Sequence, residues 1–307
     1  MSTPLPPPPQ HDAAPASGGR IEPRVANAGA GATWWLAGWR LFARSVVTWF
    51  GVAIVYAVAM WLLGKLPMIG EAATWLLSPV FIGGIMSGCD AMQRGERLRV
   101  SHLFEGFKRQ HFVPLLLVGV FNLLVILAAV VIGMVVIVAA LGTSDIESIS
   151  RAAADPMRLI FDIGFESVLI GAVALIAGTM ITMANWFAPT LVVLREVRPA
   201  AAMLTSFRAC LRNWAAFLVY GAIGIAIIVP VCIAFVGLAF AAGFGTLIAI
   251  IDGTAGMASV GVGLGLLGVA YLAGLIALGV VASASSYASY RDTLADDQSQ
   301  PATPAPH

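Results

Sequence analysis

Residues 214 to 240 read WAAFLVYGAIGIAIIVPVCIAFVGLAF, a run of 27 without one charged side chain. At 1.5 Å per residue such a helix is about 40 Å long, more than the roughly 30 Å of hydrocarbon in a bilayer. Backbone amides and carbonyls find no water there, so each must be satisfied within its own helix. One stretch of this kind decides the class of the chain, and five others repeat it: 46 to 64, 72 to 90, 112 to 141, 167 to 194 and 258 to 284.

The composition agrees. Of 307 residues, 59% are hydrophobic and 11% charged, against about 25% charged in an average soluble domain. The expected fold is therefore all-α: a polytopic transmembrane bundle of six spans over residues 33 to 290, with disordered cytoplasmic tails at 1 to 32 and 291 to 307. The first tail is rich in Pro, Ala and Gly, including Pro6 to Pro9, and lacks the apolar side chains that would offset the entropy of ordering. It has no charged start, short apolar core and small-residue cleavage site, so the first span is expected to serve as an uncleaved anchor. The 112 to 141 span exceeds a perpendicular crossing and should tilt or project. The 72 to 90 span is the weakest. Pro79 and the pair Gly83 and Gly84 leave it readable as a kinked helix or a re-entrant hairpin.

Six spans put the tail, the 91 to 111 loop, the 195 to 213 loop and the C-terminus on one side. That side holds 14 of the 17 lysines and arginines, the other only Lys65, Arg151 and Arg158. Basic residues accumulate on the cytoplasmic side, so both termini are expected there. The 142 to 166 loop, with Asp145, Glu147, Asp155, Asp162 and Glu166, is then exported.

Before the first, third and fifth spans lies a short amphipathic segment. At 100° per residue, Trp35, Trp39, Phe42 and Val46 form one stripe opposite Arg40 and Arg44. Val100, Leu103, Phe104 and Phe107 oppose His102, Glu105 and Arg109; Met203, Phe207, Cys210 and Trp214 oppose Thr205, Arg208 and Arg212. All three read as helices in the cytoplasmic headgroup layer, their arginines toward lipid phosphates. Arg40, Arg44, Arg109, Arg208 and Arg212 are the candidate headgroup contacts. In each segment an aromatic residue precedes a charged one and, a turn later, an arginine: Trp39, Arg40, Arg44; Phe104, Glu105, Arg109; Phe207, Arg208, Arg212. Either the chain is built from three units, each an interfacial helix with an outgoing and a returning span, or loops entering a membrane simply collect such residues.

The stretches Trp34 to Phe42, Ser78 to Gly84 with Gly88 and Cys89, His102 to Phe107, and Ser206 to Trp214 resemble a family of uncharacterised multi-pass inner-membrane proteins of Gram-negative bacteria, over roughly residues 33 to 290. The resemblance implies an inner-membrane location and a helical fold. That family has no assigned reaction or ligand, so it implies no site.

Chemistry is sparse. No ionisable residue lies near the centre of a span; Glu71, Asp90 and Glu166 sit at ends, which argues against a carboxylate relay or an arginine voltage sensor. The best polar candidates are Asn122, Thr179, Thr182 and Asn185. Asn185 lies four residues before Pro189, whose missing N–H would free its carbonyl and open a kink. These residues could line a polar pocket or merely join helices. Gly84 with Gly88, and Gly261 with Gly265, have GxxxG spacing for close helix packing, expected mainly within the bundle. Cys89, Cys210 and Cys232 are scattered and read as small apolar residues. His102 and His111 are too far apart for a paired ligand set, so neither metal nor cofactor is expected. Arg94, Arg97, Arg99, Lys108 and Arg109 read as a topology determinant. A net charge of +1 with short loops offers nucleic acid no footprint.

By elimination, the first expectation is a non-catalytic membrane-organising or interaction component. Its partners would be membrane lipids and a second copy or another membrane protein. The alternative is a small transporter or channel for a neutral or amphipathic solute, with a path near Asn122, Asn185 and Pro189. A lipid-acting intramembrane enzyme ranks last, because acid and base candidates do not cluster.

Overall fold

A computed structural model of the chain describes residues 22–140, 164–252 and 257–295. The apolar runs form long helices, as their length and composition require. In chain order they are α1 (Ala30–Arg44), α2 (Val46–Gly64), α3 (Gly70–Gln93), a 3₁₀ helix (Val100–Phe107), α4 (Arg109–Ala140), α5 (Gly164–Trp186), α6 (Ala188–Arg195), α7 (Pro199–Arg212), α8 (Trp214–Ile251) and α9 (Met257–Leu294). Six stretches are long and apolar enough to cross a membrane: α2, α3, Arg109–Val135 of α4, Gly171–Arg195 across α5 and α6, Trp214–Gly245 of α8 and Gly265–Leu294 of α9.

The weakest span is continuous. α3 runs 24 residues through Pro79, so it is one helix long enough to cross and not a re-entrant hairpin. It joins α2 by a tight turn in which Met68 adopts φ 63°. The kink at Pro189 does interrupt its span: α5 ends at Trp186, Phe187 leaves the helix, and α6 restarts at Ala188.

Two boundaries differ from expectation. The last part of the 1 to 32 tail is tied down, with the Arg24 amide donating to the Thr293 carbonyl at 2.8 Å and the Ala26 amide to Asn213 Oδ1 at 2.7 Å. The last helix extends beyond 284 to Leu294, because Thr293, Tyr290 and Leu294 are buried against α1 and its neighbours. The remainder of the tails, residues 1–21 and 296–307, and the acidic loop up to residue 163 lie outside the described residues.

The three short segments before the first, third and fifth spans are helical, with changes. The second is a 3₁₀ helix. Its 120° per residue lines up Val100, Leu103 and Gly106 along one edge and sets Phe104 and Phe107 on the next; Leu103 and Gly106 are the buried pair. In α1 the buried face is Trp34, Gly38, Leu41 and Phe42, while Trp39 is 56% exposed. In α7 it is Ala202, Ser206, Ala209 and Cys210. The protein thus takes the side one residue around from the aromatic stripe.

The residue just before each repeated aromatic shows how the segments are placed. Gly38 of α1 sits so close to α9 that an added Cβ would meet the Val281 carbonyl at 2.6 Å and the Ser285 amide at 2.8 Å. Leu103 of the 3₁₀ helix presses its carbonyl on Gly84 of α3, where a Cβ would also meet the His102 carbonyl at 2.7 Å. Ser206 of α7 hydrogen-bonds the Met183 carbonyl of α5 at 2.7 Å. Each segment therefore packs on the returning span of the unit before it, and the first packs on the last, closing a ring. The buried core, with Trp49, Leu103, Leu115, Phe187 and Tyr287, lies at this end of the bundle. The opposite halves of α4, α5 and α8 carry mostly exposed apolar side chains, which suits contact with lipid tails.

Among the small residues, Gly84 and Gly88 pack within the chain, against Leu103 and Leu98 respectively. At Gly265 of the other GxxxG pair an added Cβ would meet nothing within 4 Å.

Candidate functional site

The three returning spans α3, α5 and α9 face one another, and α4 closes the gap between two of them. Ile82 of α3 comes together there with Asn185 and Ser283, which lie two residues beyond the ring contacts Met183 and Val281. All three line one cavity of about 450 Å³. Asn122 of α4, Thr182 and Pro189 line it as well. Four of the five pocket candidates from sequence, Pro189 included, are thus brought together. The fifth, Thr179, lines a neighbouring crevice of about 560 Å³ between α5, α7 and α8, and Thr182 belongs to both.

The kink is held by a residue that sequence reasoning did not single out. Ser206 Oγ accepts the Phe187 amide at 2.9 Å and donates to the Met183 carbonyl at 2.7 Å. It satisfies two backbone groups that the broken helix would leave bare, each otherwise costing about 1–3 kcal/mol. The break leaves Asn185 a turn short of Pro189, on the cavity wall.

Three side chains of this wall spend a hydrogen on their own helix. Thr182 donates to the Gly178 carbonyl at 2.8 Å and Ser283 to the Gly279 carbonyl at 2.9 Å. Asn185 Nδ2 donates to the Ile181 carbonyl at 2.8 Å. Those hydrogens are spent within their own helices, leaving oxygen lone pairs. The side-chain carbonyls of Asn122 and Asn185 are both buried without a hydrogen-bond partner, a costly condition that a bound water or a ligand donor would relieve. Among the described residues, no Asp, Glu, Lys, Arg or His lines either space. The unpartnered carbonyls suit an uncharged hydrogen-bond donor.

Trp186 and Tyr220 stand between cavity and crevice, lining both. Their rings meet edge to face with centroids 5.6 Å apart. Trp186 Nε1 donates to Ser289 Oγ at 3.2 Å, and Tyr220 shares a 2.8 Å hydrogen bond with Ser285.

The basic end of the bundle is sewn together by side chains. Tyr287 donates to Asp90 at 2.8 Å, Asp90 pairs with Arg94, and Trp34 Nε1 donates to Asp292 at 2.9 Å. Glu105 pairs with Lys108 at 3.0 Å and accepts from Ser87 at 3.1 Å. Burial raises the Glu105 carboxyl, but Lys108 and Ser87 outweigh it and hold the group below its ordinary value. Cys210 is buried and its thiol is pushed up to about 12, which makes it a packing residue and not a nucleophile. Arg40, Arg44, Arg109, Arg208 and Arg212 are all exposed at this end. Exposed Leu36, Trp39, Phe104, Leu211 and Trp214 lie on or beside the same segments.

Six apolar helices long enough to cross a membrane, five of which line an uncharged polar cavity, define a multi-pass helical membrane protein. Over 206 residues the chain is 28% identical to a protein of Burkholderia thailandensis named "Probable inner membrane protein", covering 64% of this chain and 72% of that one. No protein-family model and no solved structure matches it.

Proposed function

We propose that this inner-membrane protein binds a small neutral or amphipathic molecule in the cavity between its returning spans, as a solute carrier or carrier-like binding protein without covalent chemistry. The observation that carries this reading is the pair of unpartnered amide carbonyls, Asn122 and Asn185, on one cavity wall. Two such groups from different helices are more than packing requires, since amides that only join helices find partners. The distribution of lysines and arginines puts the ring of short helices and both termini on the cytoplasmic side. There the five exposed arginines contact lipid headgroups and hold the bundle at a fixed depth.

The exposed aromatic and basic residues of the short helices favour a second reading, a membrane-organising component. Its apolar faces are partly consumed by the returning spans, which leaves less surface for a partner.

One experiment separates the two. The protein is extracted with its native lipid and weighed intact by native mass spectrometry, alongside the Asn122→Leu, Asn185→Leu double variant. One stoichiometric small molecule retained by the wild type and lost from the variant is the expected result. A protein partner or a stable oligomer with only bulk lipid, unchanged in the variant, would replace the binding reading with the organising one.

A further inference from the structure

Resting on the binding reading above, we propose that the ligand is a lipid with an uncharged, hydroxyl-bearing head, and that it enters sideways from the bilayer between α5 and α8. Its head would sit at Asn122 and Asn185 and its chain in the crevice.

Three observations lead there. The crevice runs beside the cavity and shares Thr182, Trp186 and Tyr220 with it, so only side chains part the two spaces. Its outer wall is made by Leu175, Gly178 and Gly221, on stretches of α5 and α8 that the rest of the protein leaves exposed. On spans that cross a membrane, such surface faces acyl chains, so the crevice opens to lipid tails and not to water. The two spaces also differ in kind. The cavity offers oxygen lone pairs on Asn122, Asn185, Thr182 and Ser283, whereas the crevice is apolar apart from its threonines. A molecule with a donor at one end and a hydrocarbon chain at the other matches both at once.

The charge balance selects the head. A phosphate buried there would need a cation, because an unpaired ion in a low-dielectric site is strongly disfavoured. Among the described residues the lining has no cation, and the hydrogens of Thr182 and Ser283 and one of Asn185 are committed to backbone carbonyls, so what remains is neutral hydroxyl and amide hydrogens. An alcohol donates into the orphan carbonyls and asks for nothing charged in return. Trp186 and Tyr220 would part for the chain to pass, each giving up one side-chain hydrogen bond.

The test uses the full chain in nanodiscs of phosphatidylethanolamine and phosphatidylglycerol, with a trace of diacylglycerol carrying a diazirine in its acyl chain. A phosphatidylglycerol with the same diazirine chain is the comparison. Crosslinks from the diacylglycerol probe should map to 174–186 and 217–221, fall about tenfold with excess unlabelled diacylglycerol, and fall similarly in Asn185→Leu. Gly178→Leu and Gly221→Leu fill the crevice where an added Cβ meets nothing within 4 Å, so both should fold and also lose the competed crosslinks. Equal, uncompeted labelling by both probes would reduce the crevice to ordinary lipid contact and overturn the proposal. Retention of radiolabelled glycerol is measured in parallel. If glycerol is held saturably and lost in Asn185→Leu while diacylglycerol is not competed, the lipid inference falls and the binding reading stands; if neither probe is held, both fall.

Discussion

The Ser206 hydroxyl donates to the Met183 carbonyl at 2.7 Å and so ties the short helix α7 to the span that breaks beside the cavity. Because the same oxygen accepts the Phe187 amide, Ser206→Ala should cost about 1–3 kcal/mol through unsatisfied buried backbone groups. Thermal unfolding in detergent reads this directly. A variant as stable as the wild type would show that water replaces the hydroxyl.

Close backbone approach makes two glycines irreplaceable. Gly38→Ala would drive a methyl against the Val281 carbonyl, and Gly84→Ala against that of Leu103. Overpacking of this kind costs about 1–3 kcal/mol, whereas Gly178→Ala, in open space, should leave stability unchanged or slightly higher. Similar losses in all three would contradict the ring of contacts.

Asn213 Nδ2 donates to the Arg24 carbonyl at 2.9 Å while its Oδ1 accepts the Ala26 amide. Asn213→Ala should release the segment before α1. Loss of about 1–2 kcal/mol raises the open population roughly 5- to 30-fold, and limited trypsin cleavage after Arg24 should quicken accordingly. Unchanged cleavage would mean that the bonds of Arg24 to the Thr293 and Ala295 carbonyls hold the segment without Asn213.

Glu105 supplies a pH dependence. Its folded-state value is lowered by Lys108 and Ser87, so its contribution is fully present above the ordinary carboxylate range and is lost as pH falls through the lowered value. The group is partly exposed, and the effect is small. Melting temperatures taken from pH 7 down to 3 should drop further in the wild type than in Glu105→Gln; parallel curves would remove Glu105 from the account.

Sidedness can be read by cysteine labelling. Met68, in the α2 to α3 turn, is fully exposed, and Arg97 lies in the loop after α3. A membrane-impermeant maleimide should modify Met68→Cys in intact spheroplasts and Arg97→Cys only after lysis, against a background of native cysteines that are buried or half-buried. The reverse pattern would invert the proposed topology.

The run from Trp214 to Phe240 and its five companions determined the class, the number of spans and their approximate ends, because a helix in hydrocarbon must be long, apolar and self-satisfied. Pro189 marked the broken span, since a missing N–H acts locally. Asn122, Thr182 and Asn185 stood out as polar residues in apolar runs and could be grouped as one candidate pocket, but whether they meet depends on how distant helices pack, which the sequence leaves open. The stripe on α1 was displaced for a related reason. Periodicity finds the apolar side of a helix, yet a neighbour approaches where side chains are smallest, at Gly38. The ring through Gly38, Leu103 and Ser206, and with it the alignment of Ile82, Asn185 and Ser283 around one cavity, belongs to the tertiary structure alone: it arises from contacts between backbones far apart in the chain, which local pattern does not encode.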